Sequence, residues 1–331
     1  MKPIMMLASF FLMTPSLTAT ASETAAANSQ HATFYQELES KHQVPRVQAE
    51  RILAQAQVSD AVLEAITTPW EAKPWYQYYP IFLTPSRLEK GLAFWQEHKE
   101  SLERAEQTYG VPAEVIVAII GVETYYGGYL GRHKVLDALY TLAFHYPPRA
   151  RFFRSELGHF LALTQEEQLN PTELMGSYAG AMGYGQFISS SYRAYAVDFD
   201  GDGQRDLLTN PVDAIGSVAN YFAKHHWQPG QPIATPAWVG ATTDTSAFIS
   251  NRGQQLTHTV ADLQSAGIRF TTEAAPGTKA RLFKFEEENN EASYWVALPN
   301  FYSITRYNHS PLYAMVVYQL SEQLRRGAQG L

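Results

Sequence analysis

One carboxylate carries the clearest chemical potential in this chain. In GVETYYGG, residues 121–128, Glu123 follows the almost wholly apolar run VPAEVIVAII of residues 111–120. Pro112 at the first helical position would lose no hydrogen bond, which puts Glu123 in the last turn of a buried helix. Gly127 or Gly128 would then end it. Ile116, Ile119 and Ile120 share the face of Glu123, one or two turns back. Desolvation by that face and the negative end of the helix dipole both disfavour the ionised form, so the pKa should rise. A raised pKa is what a general acid needs near neutral pH. The competing reading is a solvent-facing glutamate, or one paired with Arg132 or Lys134.

Two further segments have chemical character. YAGAMGYGQFISSSY, residues 178–192, combines Gly180, Gly183 and Gly185 with the amide of Gln186, the Ser189–Ser191 run and three tyrosines, Tyr178, Tyr184 and Tyr192. Glycines allow close approach to the backbone, and aromatic faces with neutral hydrogen-bonding groups suit a sugar cleft. Tight packing through small residues explains the glycines equally well. DFDGDGQRDLLTN, residues 198–210, has EF-hand spacing. Asp198, Asp200 and Asp202 occupy its first, third and fifth positions, with Gly203 at the sharp turn, the Gln204 carbonyl seventh and Asp206 ninth. Thr209 stands where a bidentate glutamate is usual, and Asn210 is the alternative ligand. A calcium ion here would be structural, because it would occupy the carboxylates.

Mainly helical elements must position these groups. The chain opens with Met1-Lys2, an apolar core and Ala19-Thr20-Ala21, the pattern of a signal peptide over residues 1–21. A small polar leader follows over 22–31. The expectation is a soluble, exported protein, with no membrane span in the mature form. Helical periodicity runs over 32–66, with Ala49, Ile52, Leu53 and Ala56 on one face. The proline- and aromatic-rich stretch 68–85 should be extended, and one helix should cover 86–109. More helix is expected near 150–163 and 213–226. Residues 32–227 thus form a helical region and catalytic core. The Pro/Gly/Thr-rich stretch 228–296 reads as a small β subdomain with strands at 280–286 and 293–298. Residues 297–331 return to the core, with a helix at 312–325. The fold class is mainly α (α+β) with a late β insertion.

Composition excludes several functions. The chain has 331 residues, 45% hydrophobic and 17% charged, with 25 Lys+Arg against 32 Asp+Glu and a net charge of -7. No basic stripe supports nucleic-acid binding. With no cysteine there is no disulfide, thiol nucleophile, thiolate metal site or lipid-anchoring cysteine. The ten histidines form no helical pair with a glutamate between them that would suit zinc.

Taken together, GVETYYGG, SYAGAMGYGQFISSSY, DFDGDG, NPVDAIGSVANYF (210–222) and LPNFYSITRYNHS (298–310) resemble, in order, the membrane-bound lytic murein transglycosylase B family. The resemblance runs from about Tyr35 to the C-terminus. It implies a lysozyme-like core, peptidoglycan glycan strands as substrate, periplasmic location and no organic cofactor. The implied reaction breaks the β-1,4 bond between N-acetylmuramic acid and N-acetylglucosamine without water, leaving a 1,6-anhydro end. Glu123 would act first as acid, then as base. Gln186 would bind the reacting sugar, with Tyr125, Ser177, Met182, Tyr221, Asn300, Tyr302 and Tyr307 around the cleft. Where relatives carry two arginines after Tyr-Pro, this chain has Pro148 and then Arg149, with Arg151 two residues on. Two other functions compete. A hydrolytic muramidase needs a second carboxylate, and Glu156, Glu166 and Glu167 look like a solvated face. A catalytically weak scaffold would bind peptidoglycan and recruit cell-wall synthases.

Overall fold

Prolines and side-chain caps decide where most helices begin. The computed structural model describes residues 31–68, 73–249 and 255–329. The signal segment 1–21 and the leader up to residue 30 lie outside the described residues, whereas His31 already belongs to helix α1, residues 31–42. Pro45 then precedes α2 (Arg46–Leu53), and Ser59 caps α3 (Asp60–Thr67) by accepting the Val62 N–H.

The proline-rich stretch is not extended as expected. It folds as α4 (Trp75–Tyr78) and a 3-10 turn at Tyr79–Ile81. Pro74 and Pro80 sit at the starts of these turns, where no N–H is needed. The Trp75 ring is buried 5.3 Å from Phe285, so long-range packing decides the conformation. The next expected helix is two, α5 (Pro85–Glu97) and α6 (Lys99–Tyr109). They separate at His98, whose ring packs 4.5 Å from Phe94.

Helix α7, Ala113–Thr124, is the spine: every residue except Glu114 and Glu123 is buried. A helix apolar all round belongs inside a core. Pro112 is its N-cap residue, one place earlier than expected, and the Glu106 carboxylate accepts the Ala113 N–H. Helices α8 (Val135–His145), α9 (Ala150–Glu166), α10 (Ser189–Tyr195), α11 (Pro211–Lys224), α12 (Val260–Ser265), α13 (Pro299–Tyr307) and α14 (Pro311–Ala328) follow. α5, α6, α11 and α14 all pack on α7, while α8 packs on α9.

Strands β1 (His133–Lys134) and β2 (Met175–Gly176) pair antiparallel beside the end of α7. A second sheet contains β3 (Ala234–Ala237), β4 (His258–Thr259), β5 (Lys279–Glu286) and β6 (Ala292–Ala297), in the antiparallel order β3-β6-β5-β4. Alternation along β5 divides its faces. Ala280 and Leu282 join a small core with Val260 and Leu263, whereas Phe283 and Phe285 join the main core. This is the mainly helical architecture with a late sheet that the composition indicated. Among the described residues no helix is long and apolar enough to cross a membrane.

Candidate active site

The end of α7 builds the site. The helix closes at Tyr125, which takes left-handed φ 54° and ψ 46°, ahead of the glycines expected to end it. The Tyr126 ring folds back between α5 and α7, where a Cβ on Gly121 would lie 2.5 Å from the Tyr126 hydroxyl. A side chain at residue 121 would have to displace the Tyr126 ring. The Thr124 hydroxyl donates to the Tyr184 carbonyl (2.9 Å) and accepts the Gly127 N–H (3.0 Å), joining this turn to the glycine-rich segment.

Glu123 is only partly exposed, with its carboxyl deep in the fold and one edge on a cleft. Ile116, Ile119 and Ile120 behind it are fully buried. Burial pushes its pKa up to about 7, against the opposing pull of a hydrogen bond from Tyr313. The Tyr313 hydroxyl on α14 donates to Glu123 Oε1 at 2.5 Å. Burial and the neighbouring carboxylate hold the Tyr313 hydroxyl well above the usual tyrosine range, so it remains a donor.

The cleft has a volume of about 490 Å³. Glu123, Ser177, Tyr178 and Gln186 line it with Tyr129, Gly131, Arg132 and His133, and α3 contributes Ala61, Glu64 and Ala65. The Gln186 side-chain amide donates to Gly183 O (3.0 Å) and Leu130 O (3.3 Å), leaving its carbonyl oxygen for a ligand. Ser177 Oγ accepts the Ala181 N–H at 3.0 Å, which leaves its own proton to donate outward. Gly183 has φ 72°, and a Cβ there would strike the Leu207 carbonyl, so this glycine serves close backbone packing rather than a sugar.

The other expected contacts have different places. Met182 and Asn300 are fully buried and do not line the cleft. Asn300 Oδ1 accepts the Gln228 N–H, and its Nδ2 donates to the carbonyls of Gln228 and Gln231. Tyr221 is buried, stacked 4.0 Å from His225, and donates to Arg306 O at 2.5 Å. Tyr307 donates to Gly185 O at 2.5 Å, bracing the loop that carries Gln186. The cleft lining does not include Tyr125, Tyr302 or Arg149. Lys90 and Arg87 cover the Tyr125 ring at 4.4 and 5.1 Å, and the Arg149 guanidinium lies 4.4 Å from the Phe152 ring. Of the three glutamates considered as a second carboxylate, only Glu166 is exposed as expected. Glu156 is buried and accepts the Ser190 N–H, Glu166 pairs with Arg193 at 2.6 Å, and Glu167 pairs with Arg205. None of them lines the cleft.

The acidic loop docks directly behind the site. Carboxylate oxygens of Asp198, Asp200 and Asp202 lie within 4.8 Å of one another. Left-handed Gly201 and Gly203 (φ 83° and 93°) turn the loop around them. This clustered hard-oxygen set fits a calcium ion. Asn210, however, is committed elsewhere: its Oδ1 caps α11 and its Nδ2 donates to Asp200 at 2.7 Å. Asp206 caps its own turn, accepting the N–H groups of Leu208 and Thr209 and the Thr209 hydroxyl. Gln204 is exposed and follows the turn, its N–H donating to Asp202. Buried Asp213, which the spacing did not single out, accepts the N–H groups of Phe199 and Asp206 and so fixes both ends of the loop. Leu207 O accepts the Tyr184 N–H at 3.0 Å, coupling loop to cleft.

Comparison with known proteins shows which family the chain belongs to. A family model described as a transglycosylase SLT domain matches residues 26–322. Membrane-bound lytic murein transglycosylase B of Escherichia coli (strain K12) is 44% identical over 301 residues, 87% of this chain and 81% of that protein. The crystal structure of soluble lytic transglycosylase SltB1 from Pseudomonas aeruginosa superposes with a TM-score of 0.85 at 45% identity, covering 91% of this chain and 100% of that one. The Escherichia coli lytic transglycosylase Slt35 in complex with calcium gives 0.80 at 43% identity, covering 91% and 94%. With a match over most of its length and identities above 40%, the chain belongs to the transglycosylase SLT domain family.

Proposed function

We propose that the protein is a lytic transglycosylase that cleaves the β-1,4 bond between N-acetylmuramic acid and N-acetylglucosamine in peptidoglycan. The observation that carries this is a cleft-facing carboxyl, Glu123, held at a pKa of about 7 by burial. Near neutral pH such a group both gives and takes a proton. Protonated Glu123 donates to the glycosidic oxygen as the C1–O bond breaks. The substrate's N-acetyl carbonyl stabilises the cationic C1. The muramic acid C6 hydroxyl then attacks C1, and its proton passes to the Glu123 carboxylate. No water is consumed, and the acid is regenerated.

Gln186 and Ser177 orient the sugar through the Gln186 carbonyl and the Ser177 hydroxyl, while Tyr178 offers a ring face at the same cleft. Asp198, Asp200 and Asp202 would hold a calcium ion whose chemistry is purely structural, stiffening the loop behind Gln186. Location in the periplasm follows from the signal-like N-terminus and from the substrate, and cell-wall synthases are natural partners there. The hydrolytic alternative has one favourable observation, since Glu64 lines the same cleft.

Mass spectrometry of fragments released from purified sacculi separates these outcomes. Anhydro-ended products from wild type, none from Glu123→Gln and unchanged products from Glu64→Gln are expected. Reducing-end products that disappear in Glu64→Gln would establish hydrolysis instead.

A further inference from the structure

A second concavity lies between α1 and α9, with a volume of about 420 Å³. It shares no lining residue with the cleft of Glu123. In a chain of net charge -7, its walls bring together Lys41, Arg151 and Arg154 around a single acid, Glu37. Thr33 and Ser155 add hydroxyls, and the buried Phe34 ring lies at its base. His42 completes the lining but adds no charge near neutral pH. Burial, His159 and Arg193 depress its pKa to about 4.

The walls are rigidly tied. A Cβ on Gly158 of α9 would sit 2.9 Å from the His42 ring, so the two helices meet closely there. Arg193 bridges His159 at 2.8 Å and His42 at 3.3 Å, bracing the same contact from α10. By contrast, the Lys41–Glu37 pair at the mouth is well exposed, at 64% and 47% for the two side chains. Such a pair contributes little and opens at small cost to a ligand.

We propose that this pocket is a second, non-catalytic site that binds a short peptide bearing free carboxylates, such as the peptide branches of peptidoglycan. Arg151 takes a carboxylate, Lys41 and Arg154 supply the surrounding positive field, and Glu37 meets an ammonium group of the same peptide. The proposal rests on peptidoglycan being the substrate. It gives the enzyme a hold on the polymer outside the cleft, so that release of one cut end does not release the protein. A lipid surface fits less well, because the pocket is concave and Glu37 would repel phosphodiesters. A zwitterionic peptide matches both signs of charge and the hydroxyls.

The test titrates a synthetic peptidoglycan stem peptide, free of sugar, into the purified protein at low salt and follows binding by calorimetry. Wild type and Glu123→Gln should bind alike, and Arg151→Glu should bind roughly tenfold or more weakly, as expected for losing a charge-assisted contact. Arg151→Gln, which adds no repulsion, should show an intermediate loss, and thermal melts establish that both variants are folded. Cleavage of peptide-free glycan chains should be the same in wild type and Arg151→Glu. Unaltered peptide affinity in Arg151→Glu overturns the proposal. So does equal binding of a peptide whose carboxylates are all amidated, or Arg151-dependent binding of phosphatidylglycerol vesicles with no binding of peptide. If wild type binds the peptide through Arg151 yet releases no fragments from sacculi, the catalytic assignment fails while the peptide site stands.

Discussion

Glu123 favours its protonated form in the folded protein, and this has consequences for stability as well as catalysis. Its pKa rises from 4.5 to about 7. The folded state therefore holds a proton that the unfolded state has released. The associated stability is fully present below about 4.5 and is lost as pH rises through 7, a penalty of roughly 3 kcal/mol. Glu123→Gln removes that penalty, so at pH about 8 it should melt above wild type, with the gap closing toward pH about 4.5. Equal melting temperatures across that range would contradict the desolvated placement of the carboxyl. The hydrogen bond from Tyr313 acts in the opposite sense, favouring the carboxylate. Tyr313→Phe should therefore raise the Glu123 pKa and move the alkaline limb of the activity profile to higher pH. A profile that only loses height, with its limb unmoved, would reduce Tyr313 to a packing role.

At the scale of elements, the acidic loop and the start of α13 act as braces. The loop is tied to the glycine-rich segment by Leu207 O, which accepts the Tyr184 N–H, and to α10 by the Tyr192 hydroxyl, which donates to Arg205 O at 2.5 Å. If calcium occupies the loop, chelation should lower the melting temperature and reduce turnover together, and Asp198→Ala should make the protein indifferent to added calcium. A melting temperature unmoved by chelator or by calcium would show that the loop's own hydrogen bonds suffice. Asn300 holds three backbone groups of residues 228 and 231 from α13. Asn300→Ala leaves these groups unpaired and should cost on the order of 2–4 kcal/mol, read from denaturant unfolding. Because Asn300 is fully buried, the folded variant should keep its affinity for glycan fragments.

For the whole molecule, catalysis and core packing share one structure. Helix α14 packs on α7 and carries Tyr313 to Glu123, a contact spanning 190 residues of sequence. Leu320 lies fully buried on α14. Leu320→Ala should cost about 2–5 kcal/mol of stability through the cavity it leaves. Loosening the α7–α14 contact should also lower activity before global unfolding, which parallel activity and circular-dichroism melts would detect. Coincident loss of both signals would show instead that α14 stays docked until the molecule unfolds as a unit.

Local patterns marked Glu123, the D-x-D-x-D-G loop and Gln186, because each depends on nearby spacing: an apolar helix face, an acidic turn, an amide beside glycines. The helical class and the late sheet were legible for the same reason. Tertiary structure alone decided which residues share the cleft. Tyr313 was invisible beforehand because nothing within a turn of it distinguishes a buried donor from a core tyrosine. Asn300, Tyr221 and Met182 lie in motif-rich segments, yet they face inward, since side-chain direction depends on packing partners far along the chain. The 75–81 turns accommodate their prolines at turn starts and bury Trp75 against Phe285, a partner far along the chain. The sequence by itself determined the candidate reactive groups and the helical frame. Only packing of α14 and the acidic loop against the end of α7 decided their surroundings, because desolvation and long-range hydrogen bonds exist only once the chain is folded.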